Sequence, residues 1–300
     1  MSTEEGVTPQ LIVDSHLHLY RNAEDAEASK AGYEIWEYGP NDGIQFSSRP
    51  GDYSSAVDAL ESSGASFAVV TNLLDVVRPG VAPEDDLVDF NRWLCDEIAA
   101  NDRRFIPLIA VDPTYMSVAD NVAHLETMAR DHGAAGIKLH PPVQRLDFED
   151  QSIWPIIEAC VRLDLAIVSH AGPSRDGSGL GEPESFRPIL SAYPSLRIVL
   201  AHMGGAAWRQ LPGIARAYPH VYFDLCEIVE QIGSPRAPSA DELSGLIKEV
   251  GADRVMMGSD FPWYDIDHTV AQVMGLPGLS TAERHAILGA NAARFFRLPA

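Results

Sequence analysis

Short runs of apolar, often β-branched residues recur eight times along the chain, separated by longer and more polar stretches. Runs of this composition predict β-strands that are buried on both faces. The eight predicted strands are Leu11–Leu19, Phe67–Leu73, Phe105–Val111, Ala134–His140, Leu165–Ala171, Arg197–Met203, Val221–Cys226 and Arg254–Asp260. The regular recurrence indicates one repeating architecture and not a mixture of domains.

Between these runs, apolar residues recur at helical spacing. After the third predicted strand, Ser117 stands as a candidate N-cap before four apolar residues that share one helical face, namely Val118, Val122, Leu125 and Ala129. Alternating strands and helices predict a parallel sheet, and eight such units favour a closed barrel over an open sheet. The predicted fold is therefore an α/β fold, a (β/α)8 TIM barrel.

One stretch departs from this regularity, because the first two predicted strands are much farther apart than a simple connection requires. We therefore predict an inserted loop or lid over residues 20–50. At the other end, residues 281–298 predict a helix packed across the outside of the barrel. No change in composition marks a linker, so the prediction is a single domain over residues 1–300.

Composition and charge narrow the classes of function. The chain has 46% hydrophobic residues, 22% charged residues and a formal net charge of −21, which would repel a phosphate backbone, so we expect no nucleic-acid partner. Residues 1–10 lack the features of a secretion signal, and no apolar stretch is long enough to cross a membrane. We expect a cytoplasmic protein without membrane association whose three cysteines are reduced.

Candidate chemistry stands in and at the ends of the predicted strands. His16 and His18 are two residues apart in the first strand and project from the same face, while His170, His202 and Asp260 each close a later strand. Each residue alone has an ordinary structural role open to it, such as a hydrogen bond to a carbonyl or a helix cap. Five such groups at one barrel mouth would be poorly satisfied without a cation, so the sequence predicts a divalent-metal site.

Seven segments carry a resemblance to a known family: DSHLHL, GIKLHP, VSHAG, YPSLRIVLAHMGG, YFDLCE, RVMMGSDFPW and NAARFFRL. In this order and at about these spacings, the sequence resembles the amidohydrolase superfamily. The resemblance is to amidohydrolase family 2 in particular, the branch related to aminocarboxymuconate-semialdehyde decarboxylase, and it spans nearly the whole chain. It implies that His16, His18, His170 and Asp260 hold one metal and that His202 faces the water and the substrate.

Lys138, in GIKLHP, leaves the number of metals open. Binuclear relatives carry on the fourth strand a lysine that becomes carbamylated and bridges two metals, in which case His202 would bind the second one. Lys138 could instead bind a substrate carboxylate, and His140 on the same face could line the pocket or belong to a turn. We favour one divalent cation, zinc, with manganese as the alternative.

Two aspartates are candidates for supporting these ligands. Asp14 faces inward one pleat below His16, where it could hydrogen-bond a histidine ligand or simply be a polar core residue. Asp224, in YFDLCE, lies near the predicted mouth on the seventh strand.

The predicted cage suits hydrolysis. Three imidazoles and a carboxylate leave zinc an open position for a water molecule whose pKa falls to about 7. Asp260 could shuttle the proton and His202 could orient the water or stabilise an oxyanion, so both are candidate catalytic residues. The leading prediction is hydrolysis of an ester, lactone, amide or related bond of a small organic molecule through a metal-activated water.

Two other functions stay open. The resemblance also implies non-oxidative decarboxylation of an unsaturated or aromatic acid, and a barrel that binds metal or ligand without turnover is a weaker alternative because the ligand set is complete. The inserted segment also offers charged and aromatic side chains that could bind a substrate. These substrate-binding candidates are Arg21, Trp36 and Arg49. We expect a small-molecule partner, with a carboxylate as one class, and homo-oligomers are an alternative to a monomer.

Overall fold

The eight strands form one parallel sheet in sequence order. The computed structural model describes residues 11–32, 34–73 and 83–299. Its strands are β1 (Val13–Leu17), β2 (Phe67–Val70), β3 (Phe105–Ala110), β4 (Gly136–Leu139), β5 (Ala166–Ser169), β6 (Arg197–Leu200), β7 (Val221–Asp224) and β8 (Val255–Met256). Each lies inside its predicted range, and the predicted (β/α)8 barrel is confirmed. Residues 1–10, in which we expected no secretion signal, lie outside the described residues.

Backbone hydrogen bonds between β1 and the chain that follows β8 close the sheet. Asp260 N donates to the carbonyl oxygen of His16 at 2.8 Å, and His18 N donates to that of Phe261 at 2.7 Å. The pairing brings the first two candidate ligands next to the last one, although His18 and Asp260 lie 242 positions apart in the chain.

Side chains of the strands alternate between the barrel interior and the layer under the helices. On β5, Ala166 and Val168 belong to a small apolar cluster, whereas Ile167 packs in the large cluster that includes the helices. Phe295 from the C-terminal segment also packs in the small cluster. Because residues two apart share a face of a strand, His170 continues the inward series at the carboxyl end of β5.

Helices cover the outside of the barrel. They are α1 (Ala23–Gly32), α2 (Tyr53–Ser63), α3 (Pro83–Asn101), α4 (Val118–Asp131), α5 (Pro141–Gln144), α6 (Trp154–Leu163), α7 (Arg187–Ala192), α8 (Leu211–Ala217), α9 (Ala240–Val250), α10 (Ile266–Gly275), α11 (Thr281–His285) and α12 (Asn291–Phe296). The N-cap predicted at Ser117 is present at the start of α4, where the Ser117 side chain accepts a hydrogen bond from Asp120 N. None of the helices in the described ranges combines the length and apolarity that crossing a bilayer requires.

The segment 20–50 contains α1 and then runs across the mouth of the barrel. Ser47 N donates to the carbonyl oxygen of Trp263 at 2.8 Å, and Arg236 N donates to that of Tyr38 at 3.1 Å. Trp263 follows β8 and Arg236 follows β7 in the chain, so the segment is held against loops at the carboxyl end of the sheet. This is the end at which barrel enzymes carry their active sites.

The segment 281–298 consists of α11, a π-helical turn at Ala286–Ala290 and α12. Asn291, at the start of α12, is fully buried. Its Nδ2 donates to the carbonyl oxygen of Ala252 at 2.8 Å and to that of Val255, the first residue of β8, at 2.7 Å. One side chain therefore ties the C-terminal helices to the last strand.

Replacing Asn291 by alanine is expected to lower the free energy of unfolding by about 1–3 kcal/mol, because the buried carbonyl of Val255 and the half-buried carbonyl of Ala252 both lose their donor. Urea unfolding of the purified protein measures the difference. Asn101→Ala is the matched control, since Asn101 is exposed and its amide bonds within its own helix, to Glu97. An Asn291→Ala protein no less stable than the Asn101→Ala protein would show that this anchor contributes nothing.

Candidate metal centre

Titratable side chains from six strands or their ends meet at the carboxyl end of the barrel. They line a cavity of about 30 Å³. The residues lining it are His16 of β1, His18 just after β1, Leu73 after β2, Lys138 of β4, His140 after β4, His170 after β5, His202 after β6, Glu227 after β7, and Asp260 and Trp263 after β8. All ten are buried. The structure thus brings together all the ligand candidates singled out from the sequence.

Three of the lining residues have a left-handed backbone. The φ angles of His202, Glu227 and Asp260 are 58°, 61° and 62°. A residue with a Cβ atom adopts this region at a cost of order 1 kcal/mol, and such residues concentrate at functional sites. Each of the three follows a strand, so the strained turn sets the direction in which its side chain leaves the sheet.

His16 is held by a carboxylate on one ring nitrogen and faces a cation on the other. Its Nδ1 donates to Asp224 Oδ2 at 3.1 Å, and its Nε2 lies 2.8 Å from Lys138 Nζ. Burial, reinforced by Lys138, keeps the pKa of His16 well below its usual range. The ring is therefore neutral, with its proton on Nδ1 and its lone pair on Nε2.

His18 and Asp260 form the second part of the cluster. His18 Nε2 donates to Asp260 Oδ1 at 2.9 Å. Burial acts to raise the pKa of Asp260, but the bond from His18 and the nearby histidines outweigh it and hold that pKa below its usual range. A carboxylate and neutral imidazoles thus share a site from which most water is excluded.

His170 lines the same cavity and contacts two further histidines. Its ring stacks on that of His140 with centroids 3.9 Å apart and planes inclined by 7°, and its centroid is 4.8 Å from that of His202. His202 Nδ1 donates to the carbonyl oxygen of Cys226 at 3.2 Å. Because a carbonyl only accepts, this contact leaves the lone pair of His202 on Nε2.

The donor set fits a divalent cation. His16, His18 and Asp260 each bring one ligand atom to within 4.8 Å of the other two. Neutral imidazole and carboxylate are ligands that zinc and manganese accept. Two further observations agree with this fit: His18 Nδ1 is buried without a hydrogen-bond partner among the described residues, and His16 Nε2 already faces the ammonium group of Lys138. His170 lines the same cavity but lies outside the 4.8 Å group.

A larger cavity of about 350 Å³ lies outside the first. His140, His170 and Glu227 line both cavities, so the two adjoin. Trp36 and Glu37 of the segment 20–50 line the outer one. A cavity of this volume is in the usual range for small organic ligands.

The three substrate-binding candidates from the sequence fall in different places. Trp36 lines the outer cavity, where Arg175 lies over its ring at 5.4 Å. Arg49 instead pairs with Asp265 at 3.2 Å, and Arg21 lies over the ring of Trp93 at 5.5 Å. Neither arginine is among the residues lining the two cavities. Of the three, only Trp36 is placed to contact a ligand in the outer cavity.

The supporting aspartate is Asp224 rather than Asp14. Asp14 accepts hydrogen bonds from His16 N at 3.1 Å and from Ser259 N at 2.9 Å, and it touches no histidine ring through these bonds. Asp224 accepts from the His16 ring and, through Oδ1, from His202 N at 2.8 Å. The sequence placed Asp224 near the mouth, but its two partners, His16 on β1 and His202 after β6, become its neighbours only in the folded barrel.

Glu37 and Glu227 were missed from the sequence. Both are buried and both line the outer cavity. Glu37 lies in a long segment without a strand, and Glu227 lies three residues beyond the end of β7. The only sequence signal for Glu227 was its position just after a predicted barrel strand, where active-site residues of barrel enzymes lie.

Comparisons with known proteins agree with this architecture. Residues 13–298 match the family model described as amidohydrolase. The chain is 24% identical over 251 residues to a 2-amino-3-carboxymuconate-6-semialdehyde decarboxylase of Dictyostelium discoideum, a match covering 72% of this chain and 69% of that protein. It is 32% identical over 127 residues to a gamma-resorcylate decarboxylase of Rhodococcus jostii (strain RHA1), covering 37% of this chain and 36% of that protein.

A solved structure shares the fold. The dihydroxybenzoic acid decarboxylase of Polaromonas sp. JS666, with bound manganese and the inhibitor 2-nitroresorcinol, superposes with a TM-score of 0.67 at 18% identity, covering 96% of this chain and 97% of that one. The likeness at this identity concerns the fold. Since the family model extends from β1 to the end of the C-terminal helices, the chain belongs to the amidohydrolase family, in the branch called amidohydrolase family 2.

Proposed function

We propose that the protein is a metal-dependent, non-oxidative decarboxylase of a small aromatic or unsaturated carboxylic acid. The observation that carries this proposal is the match over most of the chain to a decarboxylase of an unsaturated amino acid derivative, together with a second match to a decarboxylase of an aromatic acid. Both relatives remove carbon dioxide, and both act on acids with neighbouring double bonds.

This proposal replaces hydrolysis as the leading function. The sequence favours hydrolysis because attack by activated water uses each group in the cage. The same imidazoles, carboxylate and lysine also serve decarboxylation, so the residues alone do not separate the two reactions. Both relatives with stated reactions are decarboxylases, and this supports decarboxylation over hydrolysis.

In this proposal His16, His18, His170 and Asp260 hold one divalent cation. Three of the four come from strands next to each other in the closed barrel, and all four line the inner cavity. When bound, the cation would polarise oxygen atoms of the substrate and offset the negative charge that develops as the carbon–carbon bond breaks. Manganese is a candidate besides zinc, since the Polaromonas decarboxylase structure contains manganese.

The remaining residues bind and orient the acid. Lys138 is buried in the inner cavity, where its ammonium group can pair with a substrate oxygen. The lone pair of His202 Nε2 can accept a hydrogen bond from a substrate hydroxyl, because Nδ1 is fixed by the carbonyl of Cys226. The inner cavity alone is too small for a ring, so the body of the acid extends into the outer cavity, beside Trp36.

Incubation of protein loaded with manganese or zinc with two sets of compounds tests the proposal. The first set holds acids labelled with carbon-13 in the carboxyl group, including gamma-resorcylate, other hydroxybenzoates and conjugated dienoic acids. The second holds lactones, esters and anilides of similar size. We expect labelled carbon dioxide from at least one acid and no hydrolysis above the buffer rate. Hydrolysis of a lactone or ester with no release of carbon dioxide would contradict the proposal and favour the hydrolase.

A further inference from the structure

Among the described residues that line the outer cavity, Arg145 and Arg175 are the positively charged ones. Arg175 already has partners, because its Nη2 donates to Glu34 Oε2 at 3.1 Å and its guanidinium lies over the Trp36 ring at 5.4 Å. The guanidinium of Arg145 has no hydrogen bond or ion pair to any of the described residues. Arg145 is therefore the cation of this cavity that is available to a ligand.

A short, well-held helix fixes Arg145 relative to the metal centre. Arg145 is the C-cap of α5, and the N-cap of the same helix is His140, which lines both cavities. The buried side chain of Gln144 holds this helix in place. Its Oε1 accepts from His140 N at 2.7 Å, and its Nε2 donates to the carbonyl oxygen of Val111, just after β3, at 2.6 Å. A charged group on so rigid a support is placed precisely in front of the inner cavity.

The backbone of Arg145 would suit a glycine better than an arginine. Its φ angle is 52°, in the left-handed region that glycine adopts most easily and that helices often use where they end. Arg297 has a similar angle of 57° at the end of α12, and its side chain forms an ion pair with Asp164. Arg145 has no such protein partner, so its long cationic side chain points to a partner outside the protein.

The acidic side chains of the outer cavity do not neutralise Arg145. Glu34 forms its ion pair with the other arginine of the lining, and Asp176 and Glu37 accept hydrogen bonds from backbone amides at 3.0 Å and 3.3 Å. The fourth acidic residue, Glu227, also lines the inner cavity. The guanidinium of Arg145 can therefore offer two parallel N–H groups to a carboxylate of a ligand.

We propose that Arg145 binds a second carboxylate of the substrate, at the end remote from the metal centre, and so selects dicarboxylic acids. This inference rests on the proposed decarboxylation. The carboxylate that leaves lies in the inner cavity beside Lys138. Its bond to carbon breaks, carbon dioxide leaves, and the electron pair stays on the carbon, which takes a proton from water and leaves hydroxide. The retained carboxylate stays paired with Arg145, which determines specificity and takes no part in breaking the bond.

Replacing Arg145 by glutamine should raise KM for a dicarboxylic acid by about 10- to 100-fold with a much smaller change in kcat. The lost charge-assisted pair is made equally in the bound substrate and in the transition state, so its loss affects binding. Arg145→Lys should recover part of the affinity, since lysine keeps the charge but not the planar pair of donors. Arg297→Gln is the matched control, because Arg297 is exposed with a similar backbone and lines neither cavity.

Isothermal titration calorimetry of the metal-loaded protein gives a readout that does not depend on turnover. The probes are isophthalate, terephthalate and the monoamide of each, in which a neutral carboxamide replaces one carboxylate. The parent and Arg297→Gln should bind at least one diacid about 10-fold more tightly than its monoamide, whereas Arg145→Gln should bind the two alike. Added salt should weaken the preference of the parent, because Arg145 is exposed.

Equal affinity of the parent for each diacid and its monoamide, or a preference that Arg145→Gln retains, would overturn the inference. Release of carbon dioxide from monocarboxylic acids alone would also overturn it and would leave the proposed function standing. Failure of the proposed function is distinguishable, because the parent would then keep the calorimetric preference for a diacid, which supports the assignment of Arg145, but release no carbon dioxide from any acid.

Discussion

Protein in which His16 and His18 are both replaced by alanine is expected to lose its divalent metal and to decarboxylate at least about 10³-fold more slowly than the parent. The magnitude follows from the several kcal/mol of charge stabilisation that a bound cation supplies, at 1.36 kcal/mol for each factor of ten. Both imidazoles line the inner cavity, and each has a ligand atom within 4.8 Å of the other and of Asp260. Elemental analysis and the rate of carbon dioxide release measure the two effects.

A double variant at His132 and His285 is the control for this result. His285 is exposed, and His132 bonds to Asp96 on the surface, so replacing both by alanine removes two imidazoles without touching the cavity. Circular dichroism shows whether the His16→Ala, His18→Ala protein is folded, and the single variant His18→Ala repeats the test with a smaller change. Metal retained at the parent level in folded protein would exclude these histidines as ligands.

Asp224→Asn is expected to weaken metal binding and to lower kcat, each by about 10- to 100-fold, although Asp224 touches no substrate. The carboxylate accepts from the His16 ring and fixes the proton on Nδ1, and it also accepts from His202 N. An asparagine offers one acceptor and one donor, so the tautomer of His16 is no longer set. Competition with a chelator of known affinity measures the dissociation constant of the metal.

Asp14→Asn separates this effect from general damage to the core. Asp14 is as deeply buried as Asp224, and its bonds reach backbone amides and Ser259 instead of an imidazole ring. We expect Asp14→Asn to lower the midpoint of thermal unfolding more than the affinity for metal. Equal losses of metal affinity in both variants would mean that Asp224 acts through the core and does not orient His16.

The barrel could be predicted because each of its strands is specified by a local sequence pattern. Each strand is a short apolar run, and period-two alternation directs His170 inward without knowledge of any other strand. The convergence of His16, His170, His202 and Asp260 then follows from topology, since the carboxyl ends of all eight parallel strands share one end of a barrel. The family motifs agree with this placement.

The contacts around the cluster could not be predicted, because they depend on loops and on side-chain direction. The path of the segment 20–50 brings Glu37 to the mouth, and a left-handed backbone sets the direction of the Glu227 side chain. Neither feature has a periodic sequence signal. For the same reason Arg49 was a reasonable substrate candidate by composition, yet it pairs with Asp265. Loop geometry decides which charged groups of an insertion reach a site.

The reaction type was also beyond the sequence pattern. A cage of imidazoles and a carboxylate supports activated water and supports a bound acid equally well. The choice depends on which substrate the cavities admit. This depends on the segment 20–50 and on the loops after β4, β5 and β7, which together form the outer cavity. The residues of the cage alone therefore do not determine which of the two reactions takes place.

The most direct test is a titration of metal-free protein with manganese, following the release of labelled carbon dioxide from the best acid found in the screen. The account predicts no release without metal and a rate that rises with added manganese until about one ion per chain is bound. Release that is unchanged when the metal is removed would contradict it, as would saturation at two ions per chain, which would favour a binuclear site with Lys138 and His202 as ligands.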